Sequence, residues 1–153
     1  LEWNSSGDLG RIEKVCTGAV RGCKPYRVLD ADYYKCAGPE EMREALSRKY
    51  EDILIDFGNL EDGSYEEFLR CEKQFLVASF SEWQQDCFRE FVMKNDQGKK
   101  RSWQYLAVFG SEETRKEFMR RFGVFTERIP FSADAFSVTK ECGIFFRELV
   151  PEL

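Results

Sequence analysis

Short runs of apolar residues alternate along this chain with segments in which apolar residues recur at helical spacing. The clearest run covers residues 52–58 (DILIDFG), which is almost continuously apolar and stops at a glycine. Such a run is typical of a strand that is buried on both faces of a parallel sheet. The same criterion predicts shorter strands, or the end of a strand, at residues 1–3, 25–29, 74–79, 103–109 and 124–130.

The segments between these runs carry the start and stop signals of helices. The first has apolar residues at helical spacing up to Cys16, and we expect it to end near Gly18. A second begins with Pro39 at its first position. Ser64 with Glu67 forms the sequence pattern of a capping box, which marks the start of another helix. Further helices are predicted to begin near residues 81 and 111 and to cover residues 142–149.

Strands and helices alternate over the whole chain, which is the pattern of connected βα units. This pattern predicts a single α/β domain over residues 1–153, with a mostly parallel sheet and helices on both faces. Ligands of such sheets bind at the carboxyl ends of the strands. We therefore expect functional residues in the segments that follow the predicted strands, at residues 4–8, 56–59, 79–82, 110–113 and 130–134.

The charge of the chain argues against two classes of partner. The net charge is −5 and the isoelectric point is about 5.0, whereas general nucleic-acid and anionic-membrane binders need a positive field. The basic groups at residues 99–101 and 120–121 are short, and we interpret the first as a solvated loop. No apolar run is long enough to cross a bilayer, and residues 1–4 show no signal-peptide pattern. We expect a cytoplasmic protein that does not bind nucleic acid.

Histidine is absent, and the six cysteines are scattered singly without a CxxC pair. The absence of histidine removes the usual zinc ligand and every Ser-His or Cys-His nucleophile arrangement. We therefore expect no zinc site, and we expect no disulfides in a chain of cytoplasmic character. Asp30 and Asp32, on a predicted loop, are either a metal or partner site or two solvated acids.

Several segments resemble one protein family. Residues 50–58 (YEDILIDFG) are similar to the YDYIIIDxxxG strand of the MinD/ParA family of deviant Walker A ATPases. Residues 1–4 resemble the end of that family's second strand, residues 71–82 its next strand and helix start, and residues 128–134 (RIPFSAD) its late IPyDp loop. The resemblance spans nearly the whole chain and is nearest to degenerate pilus-assembly members of the TadZ/CpaE type.

The resemblance implies the three-layer αβα fold of P-loop NTPases and a set of site residues. It implies that Asp56 belongs to the magnesium and switch II region, as a metal ligand, and that Gly58 follows it in the nucleotide site. Asn4 stands at a switch I position that is usually acidic. Pro130 and Phe131 would lie against the nucleotide base. ATP and Mg²⁺ are the implied cofactors of the intact parent protein, and a second copy or an assembly complex is the implied partner.

The chain departs from the family where the phosphates bind. The family's KGGxGKT/S loop lies upstream of the matched segments, and no glycine-rich stretch with Lys-Ser or Lys-Thr occurs here. Without the N–H groups and lysines of that loop, nothing offsets the phosphate charge. We therefore expect a fragment of a longer protein, without catalytic residues of its own, that neither hydrolyses nor tightly binds a nucleotide alone. Asp56 is either a magnesium-shell residue or an acidic strand end that is bonded to backbone amides.

These observations leave several functions open. The first is a portion of a MinD/ParA-like nucleotide-binding protein that acts in partitioning, polarity, or pilus or secretion assembly. The second is a non-catalytic interaction domain with a degenerate ATPase fold. The third is a flavodoxin-like or receiver-like domain with Asp56 as phospho-acceptor, although the accompanying residues are at most half present. A sheet without its P-loop strand would also expose its centre, so we expect the isolated chain to associate.

Overall fold

The computed structural model describes residues 1–59, 64–81, 84–95, 103–133 and 136–151 of the chain. The chain divides into two compact units, Leu1–Cys71 (the first unit) and Glu72–Leu153 (the second unit). The single domain expected over residues 1–153 stays a prediction. The basic group at residues 99–101, residues 82–83 next to the helix start predicted near residue 81, and Asp134 lie outside the described residues.

Helices and a hairpin form most of the first unit. The helices are α1 (Asp8–Thr17), α2 (Pro39–Ser47) and α3 (Tyr65–Arg70). α1 ends as predicted, because Gly18 has a φ of 80° and donates its N–H to the carbonyl oxygen of Lys14 at 3.0 Å. This left-handed conformation is a common helix stop that glycine adopts without steric cost. The predicted start of α2, with Pro39 at its first position, is also confirmed.

The capping box predicted before α3 does not form. Ser64 is the N-cap residue, but its side chain accepts no cap hydrogen bond. Its ψ of 2° differs from the extended backbone that usually turns an N-cap oxygen toward the helix. The carboxylate of Glu67 accepts instead from Arg70, with 2.8 Å between Oε2 and Nη1.

An antiparallel hairpin follows α1 and consists of β1 (Tyr26–Val28) and β2 (Ala31–Tyr33). Its turn residues Leu29 and Asp30 have φ values of 49° and 63°. Two-residue hairpin turns of this kind require positive φ at both positions, and Asn-Gly is the sequence that usually supplies it. The predicted strand at residues 25–29 is therefore confirmed in its middle only. The loop predicted around Asp32 was wrong, because that residue belongs to β2.

The long strand predicted at residues 52–58 is reduced to one parallel bridge, between Glu2 and Asp56. The N–H of Trp3 donates to the carbonyl oxygen of Asp56, and the N–H of Asp56 donates to that of Leu1, both at 2.8 Å. The expectation of burial on both faces was wrong, because Leu54 is 70% exposed. The physical reason is that no other element of the described residues covers the face that carries Leu54.

The second unit contains the parallel sheet that the sequence predicts. Its elements are β3 (Phe75–Ser79), α4 (Gln85–Asn95), β4 (Gln104–Val108), α5 (Glu112–Phe122), β5 (Thr126–Arg128) and α6 (Lys140–Leu149). The three strands lie in the order β3-β4-β5, and both neighbouring pairs are parallel. A mixed α/β fold with a parallel sheet is thus confirmed.

Aromatic side chains form the core of the second unit. Phe88 and Val92 of α4 and Phe118 of α5 pack with Ala107 of β4 and with Phe80. The ring of Phe118 lies 4.9 Å from that of Phe80 and 5.3 Å from that of Phe88, measured between centroids. Because both helices contact the same face of β4, this cluster is a two-layer arrangement. The three-layer αβα arrangement stays an expectation.

One edge of β3 has no backbone partner among the described residues. The register pairs Phe75 with Gln104 and Ser79 with Val108, and Phe80 donates its N–H to Val108 at 3.1 Å. In a parallel ladder, only alternate residues of a strand bond to a given neighbour. The N–H and C=O groups of Phe75, Val77 and Ser79 therefore point away from β4, and they form an open sheet edge.

Candidate functional site

Three of the predicted site residues lie together in the first unit. The side-chain Nδ2 of Asn4 donates to the carbonyl oxygen of Asp56 at 3.1 Å. Gly58 has a φ of 58°, and a Cβ added there would lie 2.9 Å from the Cβ of Asn4. Both the conformation and the close approach exclude a larger residue at this position. Asn4, Asp56 and Gly58 therefore lie close together in the structure.

The residue between Asp56 and Gly58 fixes the orientation of this segment. Phe57 is buried, and its ring lies 6.0 Å from that of Trp3 and 5.9 Å from that of Phe68. Because successive side chains of an extended segment point to opposite sides, the buried Phe57 turns the Asp56 side chain toward solvent.

The carboxylate of Asp56 accepts a backbone hydrogen bond at one of its two oxygens. Its Oδ1 accepts the N–H of Gly58 at 2.8 Å, which is one of the backbone bonds expected for an acidic strand end. Its other oxygen has no hydrogen-bond partner within the described ranges, and the residue is exposed. Asp56 can therefore accept one further ligand or proton donor. Its role as a magnesium ligand stays a prediction.

Glu2, at the other end of the bridge, has a structural role. It is 2% exposed, and its Oε1 accepts from the Oγ of Ser6 at 3.0 Å and from the N–H of Leu9 at 3.1 Å. The second bond satisfies a free N–H in the first turn of α1, where a negative charge also interacts favourably with the helix dipole. The Oδ1 of Asn4 likewise accepts the N–H of Ser6 at 2.8 Å. The Oδ1 of Asn4 is thus used by the backbone of Ser6, and the Oε1 of Glu2 accepts both of its hydrogen bonds.

The cluster does not by itself fit a metal ion. Among the described residues, no group of three or more His, Cys, Asp or Glu side chains is arranged to hold one. Magnesium is commonly bound by one or two carboxylates together with water and substrate phosphates. Asp56 could supply one such carboxylate, but the remaining ligands would have to come from a nucleotide, water or another segment.

Pro130 and Phe131 belong to the second unit, directly after β5. The N–H of Ile129 continues the ladder by donating to the carbonyl oxygen of Ala107 at 3.0 Å. Phe131 is exposed. These two residues therefore follow a strand end, as predicted, and their role beside a nucleotide base stays a prediction.

A shallow pocket of about 340 Å³ lies in the second unit, at the beginning of β4. Its aromatic lining includes Trp103, Tyr105, Phe122 and Phe125. Ligands of parallel α/β sheets bind at the opposite, carboxyl ends of the strands. Within the second unit, the pocket therefore lies away from the carboxyl ends of the strands.

A buried ion pair in the first unit was not predicted. Glu13 is 1% exposed and pairs with the Nζ of Lys35, which is also buried. The same carboxylate accepts the N–H of Arg21 at 3.1 Å. The bond from Lys35 holds the pKa of Glu13 below its ordinary value. No sequence signal indicates this pair, because Glu13 lies in α1 and Lys35 follows a hairpin.

Polar groups around the hairpin form a second unpredicted cluster. The Oη of Tyr50 donates to Asp32 at 2.5 Å and lies 3.1 Å from the Oη of Tyr34. The bond to Asp32 is the main reason that the pKa of Tyr50 is raised. Burial raises the pKa of Tyr26 to about 12. Asp32 is thus not a solvated acid, because its carboxylate accepts from Tyr50 and pairs with Arg27. The alternative of a metal or partner site stays a prediction.

The structure also contains a disulfide, between Cys23 and Cys36, whose Cα atoms are 5.6 Å apart. The expectation of no disulfides was therefore wrong. Spacing along the sequence could not indicate this pair, because the intervening hairpin brings the two residues together. The other four cysteines form no disulfide.

The fold and the cluster define a mixed α/β protein with an exposed aspartate at the end of a parallel bridge. No protein-family model, curated protein or solved structure matches the chain. Among the helices of the described residues, none has the length and apolar character needed to span a membrane.

Proposed function

We propose that this chain is a portion of a MinD/ParA-like nucleotide-binding protein that acts in partitioning, polarity, or pilus or secretion assembly. The observation that carries the proposal is the cluster of Asn4, Asp56 and Gly58. The resemblance of residues 50–58 assigns this aspartate to the magnesium region, and its free carboxylate oxygen faces solvent. Asp56 would orient a water or a cation beside the nucleotide phosphates.

The proposal limits what the chain does alone. A nucleotide triphosphate needs several N–H groups and cations around its phosphates, whereas this cluster offers one carboxylate. The sequence has no phosphate-binding loop to add to it. The chain would therefore contribute the magnesium and switch II region of a nucleotide site. Hydrolysis would require the phosphate-binding loop of an intact parent protein. ATP and Mg²⁺ are accordingly proposed as cofactors of that parent.

Calorimetric titration with magnesium-ATP tests this function. The chain alone should give no binding heat, and a version extended upstream through a phosphate-binding loop should bind. In the extended version, Asp56→Asn should weaken binding by about tenfold or more, because a charged contact is lost. Asp52→Asn is the matched control, since Asp52 is an exposed acid of the same segment. Absence of binding by the extended version would refute the proposal.

The open edge of β3 favours a second candidate, a non-catalytic interaction domain. The sequence of β3, FLVAS, is typical of a strand with neighbours on both sides, yet it lacks the lysine, proline or bulge that commonly protects an edge. Val77 in the middle of this strand is 59% exposed. A second copy of the chain, or a strand of an assembly partner, could pair with this edge.

Sedimentation of the isolated chain tests the second candidate. The chain should self-associate, and Val77→Lys should shift it toward monomer, because lysine on an edge strand opposes pairing. Val138→Lys is the matched control, since Val138 is similarly exposed but lies outside β3. If the chain were monomeric at all concentrations, association through this edge would be excluded. Magnesium-ATP binding and self-association are separate measurements, so the two candidates are distinguishable.

A further inference from the structure

We propose that the Cys23–Cys36 disulfide is a site of reversible exchange with a low-molecular-weight thiol, and that its reduction loosens the backbone around Glu2. Both cysteines are exposed, so a small thiol can approach the sulfur atoms. Arg21 and Lys24 flank Cys23 closely in the sequence, and nearby positive charge favours the thiolate that leaves when the bond breaks. The inference does not depend on the nucleotide-related function.

Glu13 contacts the same two segments that the disulfide connects, the loop before Cys23 and the end of the hairpin before Cys36. The carboxylate of Glu13 accepts from the N–H of Arg21, two residues before Cys23, and from Lys35, directly before Cys36. Residues 18–25 are all exposed, so few other contacts hold this loop. After reduction, the Arg21 bond would be the principal tether of the loop, and its N–H would exchange with solvent faster.

The hairpin between the cysteines has contacts of its own. The Oη of Tyr26 donates to the carbonyl oxygen of Leu9 in α1 at 2.7 Å, and its ring stacks on that of Tyr33 at 5.0 Å. These contacts do not involve sulfur. Reduction should therefore leave the hairpin against α1, and the change should be confined to the loop and to the residues around Cys36.

The backbone at Cys36 links the disulfide to Glu2. The N–H of Glu2 donates to the carbonyl oxygen of Tyr34, and the N–H of Ala37 donates to that of Glu2, both at 2.9 Å. Lys35 and Cys36 lie between these two bonds, and Cys36 has a φ of 51°. Residues with a Cβ disfavour this left-handed region. The disulfide restrains Cys36 in this conformation, and its loss allows the backbone to relax.

This relaxation would be transmitted to the candidate site. Glu2 lies in the parallel bridge to Asp56, on the same segment as Asn4. A change in the Ala37 bond therefore acts directly on the strand-like residues 1–3 that hold the Asp56 segment. The thiol state of the two cysteines would in this way set how firmly Asp56 is positioned.

The chemistry is ordinary thiol–disulfide exchange. A small thiolate attacks one sulfur, the bond between the two protein sulfurs breaks, and its electron pair leaves on the other cysteine as a thiolate, which takes up a proton. A second small thiolate then attacks the mixed disulfide and releases the first cysteine. Two molecules of small thiol are oxidised to one small disulfide while the protein disulfide is reduced to two thiols. The small disulfide reverses the reaction.

Reduced glutathione is the probe for the first test. The intact protein is incubated with or without millimolar glutathione, alkylated with iodoacetamide in denaturant, and weighed by mass spectrometry. Four alkylated cysteines are expected before treatment, since four form no disulfide, and six afterwards. Six alkylated cysteines without glutathione, or four after treatment, would each overturn the proposal.

Hydrogen exchange tests the structural consequence. In the reduced protein, the amides of Arg21 and Ala37 should exchange about tenfold faster, the factor that corresponds to one ordinary hydrogen bond. The amide of Ile129 in the second unit is the control and should not change. Equal exchange of Arg21 and Ala37 in the oxidised and reduced protein would refute the coupling to Glu2.

Substitutions of Cys36 separate the effect of losing the disulfide from the effect of relaxing the backbone at positive φ. Cys36→Ser removes the disulfide and keeps a Cβ, so both amides should exchange faster. Cys36→Gly also removes the disulfide but adopts positive φ without strain, so Arg21 should exchange faster while Ala37 remains slow. Cys16→Ser is the matched control, because Cys16 is free and exposed. Identical exchange at Ala37 in the Ser and Gly variants would contradict the role of the Cys36 backbone.

Discussion

Truncation of Phe118 should remove the centre of the core of the second unit. Phe118 is 3% exposed, and its ring is 4.7 Å from that of Phe122 and 4.9 Å from that of Phe80. Phe118→Ala leaves a cavity among Phe80, Phe88 and Phe122 that these large rings cannot easily fill. Buried Phe-to-Ala substitutions cost about 3–5 kcal/mol of unfolding free energy, and domains have only about 5–15 kcal/mol in total. The variant should therefore retain little stability.

Urea unfolding followed by far-UV circular dichroism measures this loss. For a unit of this size, a loss of about 3 kcal/mol lowers the thermal midpoint by roughly 12–24 °C, so a thermal melt gives an independent reading. Phe125→Ala is the matched control: Phe125 is 64% exposed, and its truncation should change the unfolding free energy by about 0.5 kcal/mol at most. If both variants lost the same stability, the cluster around Phe118 would not be the core.

Three further predictions concern the backbone, a buried acid and a helix cap. Gly110→Ala should be more destabilising than Gly123→Ala in urea unfolding. Both glycines have positive φ, but a Cβ added at Gly110 would lie 2.5 Å from the carbonyl oxygen of Phe80, whereas a Cβ added at Gly123 would have no atom within 4 Å among the neighbours that the structure describes. The pKa of Glu13 is lower in the folded state than its ordinary value of 4.5. The ionised carboxylate therefore stabilises the fold above pH 4.5, and this stabilisation is lost as the pH falls through the lower pKa of the folded state. Glu13→Gln should make the free energy of unfolding depend less on pH in this acidic range. Ser111→Ala removes the hydroxyl oxygen that accepts the N–H of Thr114 in the first turn of α5. It should cost about 1 kcal/mol in the same unfolding assay, and an unchanged midpoint would refute the cap.

Local sequence signals predict the second unit well. The run at residues 103–109 becomes β4, and Ser111 begins α5 as expected. Each of these signals depends on neighbouring residues only, and the surrounding packing agrees with it. The same reasoning identifies Gly18 as the end of α1.

Local sequence signals predict the strands of the first unit less well, because contacts between residues that are distant in the sequence determine them. The turn at Leu29 and Asp30 lacks the Gly or Asn that marks a hairpin, so one strand was predicted instead of two. The segment at residues 52–58 has the apolar composition of a central strand, but within the part of the chain that the structure describes it forms only the bridge to Glu2.

The candidate site, too, contains features that the sequence indicates and features that only the folded structure reveals. The sequence places Asn4, Asp56 and Gly58 after predicted strands, and in the structure the three residues lie close together beside the parallel bridge. Their role in binding a nucleotide or a metal stays a prediction. The capping role of Glu2 could not be predicted, because it depends on the approach of α1 to the bridge.

The order of the strands in the second unit has a consequence for synthesis on the ribosome. β3, β4 and β5 are neighbours in the sheet in the order in which they occur in the chain. Each newly made strand can therefore join the edge formed by the strand before it, and none has to insert between two strands that are already paired. The N-terminal part of a chain folds first as it emerges, so this sheet can grow in one direction while translation proceeds.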